Sequence, residues 1–158
     1  MGCYLSEMGI LENSVIRDYN PDDTDQILDV WMKANALAHP FMTEEYVAKV
    51  ISDIRNIYLP NTVTYVYEID GQLVGFISLM ENEIGAIFVN PDQHKQGIGR
   101  FLLKRALADH NSLEVEVFRN NSIGRAFYNK EGFFVIKEHV HEETGQDLIR
   151  MRLDTASQ

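Results

Sequence analysis

The chain has 158 residues, enough for one domain that buries its own core without staples. Its 14 Lys and Arg stand against 24 Asp and Glu, a formal charge of −10; this argues against nucleic acid as the main partner, which clustered cations would hold, and favours a cationic acceptor such as an amine. The single cysteine, Cys3, excludes an internal disulfide framework and suits a reducing cytoplasm, and neither a bilayer-spanning apolar run nor a signal-peptide pattern is present.

The opening Met1-Gly2-Cys3-Tyr4-Leu5-Ser6 matches an N-myristoylation pattern formally, but no polybasic stretch beside it supplies a second anchoring signal, so no membrane association is expected. Residues 1–13 read as a leader outside the core, 14–154 as one domain and 155–158 as a tail. Residues 14–19 alternate as a strand. Asn20-Pro21-Asp22-Asp23 gives capping and first-turn signals, and Ile27, Val30, Trp31 and Ala34 then form the stripe of a helix packed on a sheet. After the loop holding His39 and Phe41, Thr43 is placed to cap a second helix with the apolar face Val47, Val50, Ile51, Ile54 and Tyr58, ending at Leu59-Pro60. Residues 62–69 and 73–80 are strands joined by the hairpin turn Asp70-Gly71, and 84–89 is a further strand. A helix over 97–108 follows, then the alternating strand 113–117, a short helix over 122–130 ended by Gly132, and a strand pair, 133–142 and 147–153. The expected class is α/β (α+β), in the order β-α-α-β-β-β-α-β-α-β-β.

One stretch carries more chemistry than the rest. Around Ile87-Phe88-Val89-Asn90-Pro91 a strand stops, a loop runs through His94, Lys95 and Gln96 to Gly97, and an amphipathic helix opens at Ile98-Gly99-Arg100. Unpaired N–H groups and the positive end of a helix dipole then share one small space, which binds an anion, most often a phosphate. No Lys-Ser or Lys-Thr follows Gly99, which excludes a Walker loop, and a dinucleotide fingerprint would need a third glycine and an earlier place in the chain.

This segment resembles the acyl-coenzyme-A-binding motif of the GNAT superfamily of N-acetyltransferases, [QR]-x-x-G-x-[GA] after a strand ending V-x-P. Val89, Pro91, Gly97 and Gly99 match it, and His94 departs from the usual Gln or Arg. A second segment, from Asn121 through Gly124, Phe127 and Tyr128 to Gly132-Phe133, resembles the family's N-x-x-[AG]-x-x-[FL]-Y-x-x-x-G-F. The likeness extends from about Val15 to Leu153. It implies a mixed, mostly antiparallel twisted sheet with helices on both faces, and acetyl-CoA as co-substrate.

The resemblance also implies roles. The backbone of residues 94–100 would hold the pyrophosphate, and the edge of Ile87, Phe88 and Val89 would pair with the pantetheine amides as an added strand. Asn121 would contact the pantetheine arm, and can equally cap its helix. Tyr128 would protonate the leaving thiolate, although its spacing also suits a core tyrosine. Glu116, on the polar side of its strand, would accept the ammonium proton unless a water chain does so. His39 and Phe41 would line the acceptor pocket. No metal is expected, since His94, His110, His139 and His141 show no ligand spacing. The expected function is transfer of an acetyl group to a primary amine of a small molecule or protein, in the cytoplasm, with a homodimer among the expected assemblies. The alternative is a non-catalytic acyl-CoA sensor.

Overall fold

In the computed structural model, which describes residues 13–155, the alternating segments pair into one seven-stranded sheet. The strands are β1 (Ser14–Asp18), β2 (Val63–Ile69), β3 (Gln72–Met80), β4 (Glu83–Val89), β5 (Ser112–Phe118), β6 (Phe134–Val140) and β7 (Asp147–Asp154), in the spatial order β1-β2-β3-β4-β5-β7-β6. Neighbours are antiparallel except β4 and β5, which run parallel. The longer helices are α1 (Thr24–Ala38), α2 (Glu44–Asp53), α3 (Ile98–Leu107) and α4 (Ser122–Lys130). The expected mixed, mostly antiparallel sheet with helices on both faces is the observed fold. The leader up to residue 12 and the last three residues of the expected tail lie outside the described residues.

Local chemistry explains where the elements begin and end. Asn20 accepts from the Asp22 N–H at 2.9 Å, and Asp23 accepts from the Asn20 N–H at 2.9 Å. That reciprocal cap tightens Pro21–Asp23 into a 3-10 turn, so α1 starts at Thr24. Thr43 caps α2 by accepting from Tyr46 N–H at 3.1 Å. Beyond Asp53 the helix departs from the regular course expected to Pro60. It widens into a π turn over Ile54–Tyr58 and ends in a further turn, Leu59–Asn61. Pro60 has no N–H to donate back, and the wider turn brings Ile54 and Leu59, five residues apart, into the same core.

The helices divide between the faces. α1 packs over β2 and β3 through Ile27, Val30 and Trp31 against Val66, Leu73 and Phe76, with Val47, Val50 and Ile51 of α2 against the same cluster. On the other face Ile98, Leu102, Leu103 and Ala106 of α3, with Tyr128 of α4, pack over Tyr67, Ile77, Val115, Val117 and Met151. Burying each large side chain of this kind stabilises the fold by roughly 1.5–3 kcal/mol. The two cores lie on opposite faces of one sheet, and the one beneath α3 and α4 spans the parallel seam between β4 and β5.

Candidate active site

That seam is short. β4 and β5 pair only at Glu83↔Glu114 and Ile84↔Val115, whereas β5 and β7 stay paired from Ser112↔Asp154 to Phe118↔Leu148. The cause lies one residue past the seam. β3 and β4 pass from Leu79↔Ile84 to Ser78↔Ala86, leaving Gly85 as an extra, bulged residue. A bulge bends its strand, and β4 swings away from β5 into a fork. A cavity of about 980 Å³ fills the opening, lined by residues 84–89 on one arm and 115–118 on the other. Nothing in the hydrophobic pattern announces this bulge beforehand.

At the open end of β4, Asn90 accepts from the Asp92 N–H at 3.0 Å and starts a 3-10 turn. His94 then donates from Nε2 to the Val89 carbonyl at 3.0 Å, which ties the loop back to the strand end. Thus the residue that departs from the family pattern holds the loop in place. Lys95 and Gly97 take left-handed φ values of +68° and +83°. For Lys95 this conformation is strained by on the order of 1 kcal/mol, and Gly97 adopts it freely. The first bond within α3 is Phe101 N–H to Gly97 C=O at 3.0 Å, so the N–H groups of Ile98, Gly99 and Arg100 have no partner in the helix. Lys95, Arg100 and Lys130 line the same cavity. Gly99 has a further reason to be glycine: a Cβ there would meet the Phe127 ring at 3.1 Å.

α4 forms the floor. Asn121 caps it, its Oδ1 accepting from the Gly124 N–H at 2.8 Å. A Cβ on Gly124 would sit 2.5 Å from Asn121 Nδ2, so only glycine lets this asparagine lie against the helix. Tyr128, one turn on, packs edge-on between Phe127 and Phe133 at centroid distances of 5.4 and 5.2 Å. Tyr128 belongs to the core, as its spacing suggested, and also lines the cavity. Burial pushes its phenol above the ordinary value, so the hydroxyl stays protonated.

The opposite face of the fork is built by residues far apart in sequence. Alternation along β5 puts Val115 and Val117 in the core and Glu114, Glu116 and Phe118 on the face of α1 and α2. Glu116 Oε2 lies 3.2 Å from His139 Nε2 and 3.5 Å from Arg150 Nη1. Arg150 also binds Glu83 at 3.1 Å and Glu114 at 2.7 Å, joining both arms where they meet. His39 and Phe118 stand 5.1 Å apart edge to face, as do Phe41 and Phe118, and His141 approaches Phe118 at 5.3 Å. The cavity therefore gathers residues 87–89, residues 94–100, Glu116, Asn121, Tyr128 and His39. Phe41 stands behind His39 at 5.7 Å and is not part of the lining. Sequence reasoning missed Gly85, His139, Arg150 and Phe118. Among the described residues no group of three or more His, Cys, Asp or Glu is placed to hold a metal, and no helix is long and apolar enough to cross a membrane.

A splayed parallel strand pair with a glycine-started helix at its mouth is an arrangement that known proteins share. Residues 60–135 match the family model described as an acetyltransferase (GNAT) domain. The chain is 33% identical to the peptidyl-lysine N-acetyltransferase YiaC of Escherichia coli over 131 residues, 82% of this chain and 90% of that one. The chain belongs to the GNAT acetyltransferase family. Among solved structures, apo YjaB from Escherichia coli superposes with a TM-score of 0.79 at 26% identity, covering 88% of this chain and 96% of that one. PaiA N-acetyltransferase of Thermoplasma acidophilum, solved with coenzyme A, shares the fold with a TM-score of 0.71 at 20% identity, covering 89% and 99%. This GNAT protein is an acyl-CoA-dependent N-acetyltransferase with acetyl-CoA as co-substrate, an enzyme rather than a non-catalytic sensor.

Proposed function

We propose that this enzyme acetylates lysine side chains of proteins, with acetyl-CoA lying in the fork between β4 and β5. The observation that carries the acceptor is the 33% identity, over most of both chains, to a peptidyl-lysine N-acetyltransferase. Two features support it. A lysine side chain is a long cation, and the face that receives it carries the Glu116 carboxylate and the Phe118 ring, on a chain of net charge −10. The single cysteine supports action in a reducing cytoplasm, and residues 14–154 form the single catalytic domain.

The roles follow from position. The N–H groups opening α3 hold the pyrophosphate, and the free edge of residues 87–89 takes the pantetheine amides and polarises the thioester carbonyl. The neutral amine attacks the carbonyl carbon, and the tetrahedral oxyanion collapses with cleavage of the C–S bond. Tyr128 donates to the departing sulfur. Since its phenol is harder to ionise than usual, it acts first as a hydrogen-bond donor to the thiolate. Glu116 shares an oxygen with His139 and the permanently charged Arg150. Its second oxygen is free of these two partners and takes the ammonium proton, directly or through water.

The test is incubation of the purified enzyme and acetyl-CoA with lysine peptides, free polyamines and peptides whose only amine is the N-terminus, followed by mass spectrometry. Acetylation of internal lysines above the other two classes is expected. Exclusive modification of polyamines or of N-termini would overturn the lysine assignment while leaving the acetyltransferase intact.

A further inference from the structure

We propose that His39 is a positioning residue of the cofactor site: it sets the opening of the fork and aims the one unused amide hydrogen of Asn121 at the pantetheine arm. The proposal rests on acetyl-CoA lying in the fork. It removes His39 from the acceptor pocket proper, where the family resemblance had put it.

The argument starts from hydrogen-bond direction. His39 is only 9% exposed and stands at the end of α1, four residues after Asn35, which is 3% exposed. Its Nδ1 lies 2.6 Å from Asn35 Oδ1, and its Nε2 lies 3.2 Å from Asn121 Nδ2. An amide oxygen can only accept, so Nδ1 carries the proton and donates to Asn35. Nε2 is then a bare lone pair and accepts from the Asn121 amide. Burial keeps the ring in this neutral form by lowering its pKa to about 4. Asn121 is thereby locked at both ends, because a flipped amide would set oxygen against the His39 lone pair and nitrogen against the Gly124 N–H. Of the groups on that amide, one N–H remains, and Asn121 lines the cavity. A pantetheine arm has two amide carbonyls that lose water on entering such a site and need donors there.

Position makes the same case. The two arms of the sheet share only two residue pairs, so something else must set their separation. The His39 ring stands between Phe88 of β4, at 6.4 Å, and Phe118 of β5, at 5.1 Å, both edge-on. It touches both arms and, through Asn121, the helix that floors the cavity. A ring so satisfied, with both nitrogens engaged and both arms in contact, has no lone pair left to take a proton from an acceptor amine.

The test is calorimetric titration of two ligands into wild type, His39→Leu and His39→Gln. One ligand is acetyl-CoA; the other is 3′-phosphoadenosine diphosphate, which stops at the pyrophosphate and never reaches Asn121. His39→Leu is expected to weaken acetyl-CoA about tenfold and to leave the nucleotide within about twofold. His39→Gln, which keeps an accepting oxygen near the place of Nε2, is expected to restore most of the loss. If His39→Leu does not fold, His39→Asn, too short to reach Asn121, takes its place with the same expectation. Equal losses for both ligands would mean that His39 only supports the fold, and unchanged acetyl-CoA binding would also overturn the proposal. Wild type binding the nucleotide but not gaining affinity from the acetyl-pantetheine arm would sink the placement of that arm in the fork, and this inference with it.

Discussion

The two sides of the fork bind their ligands by different means. On the cofactor side the chemistry is mostly backbone: N–H groups at the start of α3, a strand edge, and glycines chosen for the conformation or closeness they permit. On the acceptor side it is side chains, brought together from β5, β6 and β7. A backbone site needs few residue identities but a strict order of glycines, which is why it can be written as a short motif. A side-chain site needs particular residues at points that only the folded sheet brings together, so no local pattern spells it.

The comparison breaks most visibly at Gly97. Its φ of +83° resists any side chain, and a carboxylate there would face the pyrophosphate. Gly97→Asp is expected to weaken acetyl-CoA by about two orders of magnitude, from backbone strain plus like-charge repulsion, and to abolish the thermal shift the ligand gives wild type. An unchanged shift would remove residues 94–100 from the cofactor site. Next in size is Tyr128→Phe, expected to lower kcat by roughly ten- to a thousandfold with little change in acetyl-CoA affinity. If the turnover of that variant stays within about twofold of wild type, Tyr128 serves packing alone.

Glu116 sharpens the contrast through pH. Glu116→Gln keeps shape and loses the carboxylate, so turnover should fall most near neutral pH and recover partly in alkali, where free amine is already abundant. A pH–rate profile parallel to wild type would send the proton by another route. A separate effect concerns His39 and stability. Its folded pKa of about 4 lies below the ordinary 6.5, so the unfolded chain takes up a proton between those values that the folded chain refuses. Stability is therefore full above the higher value and declines as pH falls toward the lower one, by roughly 3 kcal/mol in all. Urea unfolding of His39→Gln is expected to show a shallower decline over that interval; an identical slope would assign it to other groups.

The same contrast explains what could be read in advance. The seven strands and their order along the chain were legible from alternation, β-branched composition or a flanking turn such as Asp70-Gly71, and the loop from His94 to Arg100 because its glycines are close in sequence. Tyr128 was legible as a motif residue, but its burial between Phe127 and Phe133 followed from spacing alone. The fork itself was not visible, since the Gly85 bulge depends on how β3 registers with β4. Nor was the partnership of Glu116 with His139 and Arg150, which spans three strands. The link from His39 to Asn121 crosses 82 residues and depends on α1 and α4 meeting over the open seam.

The most direct measurement is amide hydrogen exchange of the enzyme with and without acetyl-CoA, resolved to single residues or short peptides. Acetyl-CoA in the fork should slow exchange at the start of α3, over residues 97–100, and along the free edge of residues 87–89, while β1 and the β2–β3 hairpin stay unchanged. Protection confined to other elements, or none at saturating ligand, would contradict the placement of acetyl-CoA between β4 and β5.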